Sequence, residues 1–170
     1  MDLGWKKEDS LYPAGDQMSE AVTTLQHARD PLARAKAAEA LGLARDPSLV
    51  SYLIVALHDE DKEVRSAVTQ ALIKTGMPAS GPLCMLLKDP EWKVRFRSAE
   101  ALGAIGDYAT GPALIHALND PKDHVRFMAA KSLGLLRYTP ARELLTARLD
   151  DENPYVKRMA ALALKDLPLE

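Results

Sequence analysis

A basic residue recurs at Arg34, Arg65, Arg95, Arg126 and Lys157, and from the second occurrence on an aspartate stands six residues ahead of it, at Asp59, Asp89, Asp120 and Asp151. Guanidinium and carboxylate groups pair bidentately, so this row can do one of two things. It can present a line of cations to an anionic ligand, or it can tie neighbouring stretches of chain together. Each of these four basic residues has an acid at matching spacing, which favours the second reading. The ladder would then run Asp59, Arg65, Asp89, Arg95, Asp120, Arg126, Asp151 and Lys157. Hydrogen bonds to charged groups contribute roughly 1.5–3 kcal/mol. The aspartates also precede apolar helical segments, where a carboxylate can cap free N–H groups and suit the positive end of the helix dipole.

The other reactive side chains do not assemble into a catalytic or metal set. The histidines are His27, His58, His116 and His124, and no two are three or four residues apart as a helical metal pair requires. Cys84 falls where the next repeat has Leu114 or Ile115, the place of a small core residue. The acidic runs Asp59-Glu60-Asp61 and Asp150-Asp151-Glu152 lack the spaced ligands and glycine of a calcium loop. There is no phosphate-cradling glycine loop and no nucleophile elbow. No cofactor, metal or catalytic residue is expected.

The elements that carry these residues are repeats. The segments beginning ARAKAAEALGLARD at Ala33, VRSAVTQALIKTGM at Val64, VRFRSAEALGAIGD at Val94, VRFMAAKSLGLLRY at Val125 and VKRMAALALKDLPL at Val156 align without a gap, at steps of 31, 30, 31 and 31 residues. Val94, Ala101, Leu102 and Ile105 have helical spacing, so each segment is a helix. Upstream of each lies a second apolar stretch that opens near Asp46-Pro47, Gly81-Pro82, Gly111-Pro112 or Thr139-Pro140, and proline suits a first helical turn. The single step of 30 places a one-residue shortening in the third unit's first helix. The first unit departs from the pattern: Asp30 lies four residues before Arg34, which implies a shorter loop. Self-similarity at this period marks a solenoid. The expected fold is all-α, a right-handed α-α superhelix of about five helical hairpins, some 50 Å long if neighbouring helices pack 8–10 Å apart. Residues 1–16 are expected to be a flexible N-terminal tail and 17–168 a single repeat domain.

The bulk numbers agree with such a scaffold. The chain has 170 residues, 47% hydrophobic and 27% charged, with a formal charge of −2 and a pI of about 6.1. That balance argues against nucleic acid, which asks for a basic stripe. No apolar run is long enough to span a membrane, no secretory signal opens the chain, and the single cysteine fits a reducing, cytoplasmic setting.

The line VRFRSAEALGAIGDYATGPALIHALND resembles the HEAT-like repeat first described in phycobilisome lyase subunits, over about residues 19–167. The resemblance implies that first helices form the convex side and second helices the concave side, and that the chain is a binding scaffold. It also offers two activities to weigh. Deoxyhypusine hydroxylase is similar in repeat and binds two irons through His-Glu pairs just after the basic residue. Here those positions hold Ala35-Lys36, Ser66-Ala67, Phe96-Arg97, Phe127-Met128 and Arg158-Met159, none of them such a pair. The lyase branch implies the alternative function, a chaperone-like accessory in attaching or removing a bilin.

On the implied concave face the informative positions are the two after each basic residue and the one a turn later. Phe96 and Phe127, the only phenylalanines, share one such position, where other units have Ala35, Ser66 and Arg158. Aromatics ringed by charge are what a protein-binding hot spot needs. The expected contacts to a protein or peptide partner are Trp92, Phe96, Phe127 and Met128 as anchors, with Arg97, Glu100, Lys131 and Gln70 around them. The alternative for the two rings is that they only cover the seam between units. The last helix, with Met159, Leu162, Leu164 and Leu167, is a candidate end face for self-association.

Overall fold

The computed structural model describes residues 15–168. The expected tail lies almost wholly outside the described residues. Ten α-helices and five single 3-10 turns, with no strand, make up the described chain. They pair as α1 (Gly15–His27) with α2 (Pro31–Ala44), α3 (Val50–Ala56) with α4 (Lys62–Thr75), α5 (Ser80–Leu86) with α6 (Trp92–Ile105), α7 (Gly111–Ala117) with α8 (Asp123–Leu135), and α9 (Arg142–Ala147) with α10 (Pro154–Asp166). This is the expected solenoid of five hairpins.

Leucine and valine columns one repeat apart build the core. Leu53, Leu83, Leu114 and Leu145 of the first helices are fully buried, as are Leu41, Leu72, Leu102 and Leu133 of the second. Val64, Val94, Val125 and Val156 add a third column at the start of the second helices. Burying each such side chain contributes about 1.5–3 kcal/mol. Each unit therefore depends on its neighbour to cover its apolar face, as expected of a solenoid.

Several local expectations need correction. The first helices α5 and α7 open at Ser80 and Gly111, beside their expected turn signals, but an unexpected 3-10 turn precedes each. Pro82 and Pro112 sit inside elements that open with a 3-10 turn at Met77–Ala79 and Tyr108–Thr110. The missing residue of the short repeat is not in the first helix. It lies in the turn before it, where Gly76, at φ 79°, both ends α4 and opens the following 3-10 turn. Elsewhere two residues share that work: Arg45 and Asp46, Gly106 and Asp107. The first unit's loop is not shortened either, because Arg34 donates to the carbonyls of Ala28 and Arg29 just as Arg65 does to those of Asp59 and Glu60. Asp30 is the helix cap, the counterpart of Asp61, and Ala28 stands in the register of the recurring aspartate.

Consecutive second helices pack directly on one another, while consecutive short first helices scarcely touch, which curves the stack with the second helices inside. Glycine permits that closeness. A Cβ on Gly42 would lie 2.6 Å from Ala71 Cα, on Gly103 2.4 Å from Ser132 Oγ, and on Gly134 2.9 Å from Ala163 Cα. In α4 the same register holds Ile73. Accordingly α4 and α6 pack less extensively than any other consecutive second-helix pair.

Candidate protein-binding surface

The ladder is a set of connections between units. Arg34 grips Asp59 with Nε and Nη2 at 2.6 and 2.8 Å. Arg95 grips Asp120 at the same two distances, and Arg126 grips Asp151 at 2.9 Å through both atoms. In each case the acid belongs to the next unit, and the Nη1 of the same arginine donates to two backbone carbonyls of its own loop. The carboxylates have a further job. Asp59, Asp89, Asp120 and Asp151 each accept from the backbone N–H two residues on. They therefore close the turn ahead of the second helix and do not cap the helix itself. Side-chain caps come from Asp30, Asp61 and Asn153.

Two members of the expected ladder stand outside it. Lys157 is exposed. Arg65 does not reach Asp89. That carboxylate instead meets His58 Nε2 at 2.9 Å. Burial pushes the Asp59 and Asp151 carboxyls up, but the hydrogen bonds from Arg34 and Arg126, those from the Asp61 and Asn153 backbone N–H groups and the nearby arginine charges together outweigh it and hold both below the ordinary carboxylate value. The three paired arginines are correspondingly held further into their charged range by those same hydrogen bonds.

Beside the ladder, where the second helices begin, the aromatic residues meet. Phe96 and Phe127, both half-buried, line one hollow of about 310 Å³ with Asp123, His124, Asn153, Tyr155 and Val156. Phe96 also borders a second hollow of about 280 Å³ with Trp92, Lys62, Arg65, Lys93, Arg97 and His124. The rings and charges interlock. Arg97 lies 5.7 Å over Phe96 and pairs with Glu100 at 2.7 Å. Lys122 lies 5.1 Å over the Trp92 ring, and the His124 ring packs against Trp92 at 5.1 Å. The His124 ring also lies 2.7 Å from Asp123 and, by that hydrogen bond, lowers the carboxyl to about 2. The arrangement is an apolar floor with a charged rim at the edge of the concave face.

The pattern of the family described as HEAT repeats matches residues 19–83 and 81–165. The chain belongs to the HEAT-repeat family. Among solved structures it is similar to the CpcE–CpcF complex of phycocyanin lyase from Nostoc sp. PCC7120, at 25% identity and a TM-score of 0.69, covering 100% of this chain and 70% of that one. This likeness supports repeats of the phycobilisome-lyase type. Human deoxyhypusine hydroxylase in complex with glycerol aligns at 21% identity and TM-score 0.54, covering 88% and 73%. A designed armadillo repeat protein in complex with the peptide (KR)4 aligns at 17% and 0.57, covering 89% and 82%. These last two likenesses are of fold alone. No curated protein gives a significant match.

Within this HEAT-repeat protein the sequence-derived contacts divide. Trp92, Phe96, Phe127 and Arg97 border the two hollows, and Glu100 joins them through Arg97. Met128 departs from expectation: it is 5% exposed and packs in the core, so it offers no anchor. Lys131 and Gln70 are exposed but border neither hollow. Tyr155, 72% exposed, and His124 were missed. They stand two residues before the basic position, whereas the expected contacts, Trp92 apart, all follow it. Their shared register was the available signal. Cys84 is half-buried, and burial first, then Asp107, pushes its thiol up, which suits a packing residue. Among the described residues no three His, Cys, Asp or Glu side chains group as metal ligands, and no helix is long and apolar enough to cross a membrane.

Proposed function

We propose that the chain is a non-catalytic HEAT-repeat scaffold that holds a protein segment along its second-helix face, with Phe96, Phe127 and Trp92 as anchors and Arg97, Glu100, Lys131 and Gln70 around them. The observation that carries this reading is the pair of adjoining hollows that share Phe96 and His124 under a charged rim. Half-buried aromatics inside a polar ring have the composition of interface hot spots, where single truncations cost about 2 kcal/mol or more. Solved repeat proteins of this fold in a two-chain complex or in complex with a peptide lend support. The test uses the protein as bait in lysate of its own organism, beside a Phe96→Ala/Phe127→Ala variant with an unchanged melting curve. A partner held by the wild type and lost by the variant supports the reading. Equal capture by both would place the surface elsewhere.

The whole-chain likeness to the phycocyanin lyase complex favours a second reading, an accessory in bilin attachment or removal. Bilin added to purified protein would then show a shifted visible absorbance band. An unshifted spectrum would remove this reading.

A further inference from the structure

The seam between the second and third units is built differently from the others, and the differences coincide. Its register glycine is Ile73, its turn is one residue shorter, and its ladder rung is open. Arg34, Arg95 and Arg126 each present Nε and Nη2 to a carboxylate of the next unit. Arg65 is 7% exposed and equally fixed by its Nη1, at 2.6 and 2.7 Å from two loop carbonyls. Among the described residues, however, its Nε and Nη2 have no partner, because Asp89 is taken by His58. Neither nitrogen is sealed from solvent. The side chain borders the hollow that also holds Lys62, Lys93, Arg97, Trp92, Phe96 and His124, whose lining contains no acid. A buried guanidinium with an open fork, on a side chain that borders a cationic, aromatic-walled hollow, lacks one thing that its three counterparts have, a bidentate carboxylate.

We propose that this open rung is a receptor for an aspartate or glutamate side chain of the bound protein segment, with Arg65 supplying the fork and Lys62 and Lys93 the surrounding charge. An apolar neighbour of that acid would sit on Phe96 and Phe127. The proposal rests on the concave-face reading and narrows it to acidic segments. Charge complementarity is the argument for the occupant: four basic residues and no acid border the hollow. Arginine matters here for its geometry, since a lysine keeps the charge but cannot form the fork.

A displayed library of random twelve-residue peptides tests this on the full chain. Wild type should enrich peptides with aspartate or glutamate beside an apolar residue. Arg65→Lys should weaken the selected peptides about tenfold, and the surface variant Lys62→Gln/Lys93→Gln, whose residues are exposed and outside the core, several-fold. Glutamine-for-acid versions of the peptides should bind wild type and Arg65→Lys equally. Apolar enrichment without acids, or acidic peptides indifferent to both variants, would overturn the receptor while leaving the concave surface standing. Peptides that survive Phe96→Ala/Phe127→Ala, or no enrichment at all, would overturn both.

Discussion

The arginine–aspartate rungs show how one residue type serves two purposes. Each closed rung fastens a loop to its own backbone and to the next unit, and Arg126–Asp151 is the most enclosed of them. Arg126→Gln leaves the buried Asp151 carboxylate with only the longer arginine contact, 3.4 Å to Arg148, and should destabilise the protein by about 3 kcal/mol, measured by urea unfolding. The pH dependence follows from the lowered Asp59 and Asp151. A carboxyl lowered by folding contributes stability that is fully present above its ordinary value near 4 and is lost as pH falls through the lowered one. The melting temperature should therefore be flat from about pH 7 to 5 and drop below about 4, with a shallower drop in Asp151→Asn. The row itself could be read from the sequence, because charge spacing is periodic. Its ends could not be read: Arg34 belongs to the row although no aspartate stands six residues ahead of it, and Lys157 stands outside although Asp151 does. The open rung at Arg65 could not be read, since its composition is the same as that of its neighbours and only the position of His58 against Asp89 distinguishes it.

At the scale of helices, existence and order were legible because the apolar columns repeat, whereas starts and turns were not. A 3-10 turn needs no apolar periodicity, so the sequence carries no helical signal at Met77–Ala79 and Tyr108–Thr110. The second helices of the first four units are each followed within two residues by one of positive φ, Arg45 (50°), Gly76 (79°), Gly106 (80°) and Arg137 (49°). Left-handed backbone costs a non-glycine residue about 1–2 kcal/mol, partly offset by glycine's greater freedom when unfolded. Arg137→Gly should thus raise stability by about 0.5 kcal/mol in thermal melts. Helix spacing is set by the register glycines. Gly103→Ala would push its methyl into Ser132, whose Oγ is 2.4 Å from that point and hydrogen-bonds Ala99 O. A cost of about 1–3 kcal/mol is expected. The burial of Met128 was hidden for the same reason that its neighbour's exposure was visible. Adjacent helix residues face about 100° apart, and only Phe127 was turned to the groove.

For the whole molecule, curvature turns repetition into a surface. Second helices brought together by small residues gather one register of side chains from successive units, so that Phe96 and Phe127, about thirty residues apart in sequence, border one hollow. The repeat was enough to expect that meeting, but the contribution of Tyr155 and His124 depended on where the helices begin. The account is tested most directly by placing a photoreactive residue at Tyr155, on the groove's edge, or at Met85, exposed on the first-helix side. Each variant is then irradiated in lysate of the source organism. A discrete protein adduct at position 155, absent at 85 and lost when Phe96 and Phe127 become alanine, is the expected result. Adducts at 85 that outlast the alanine substitutions, with none at 155, would contradict the claim that the concave face is where this scaffold holds its partner.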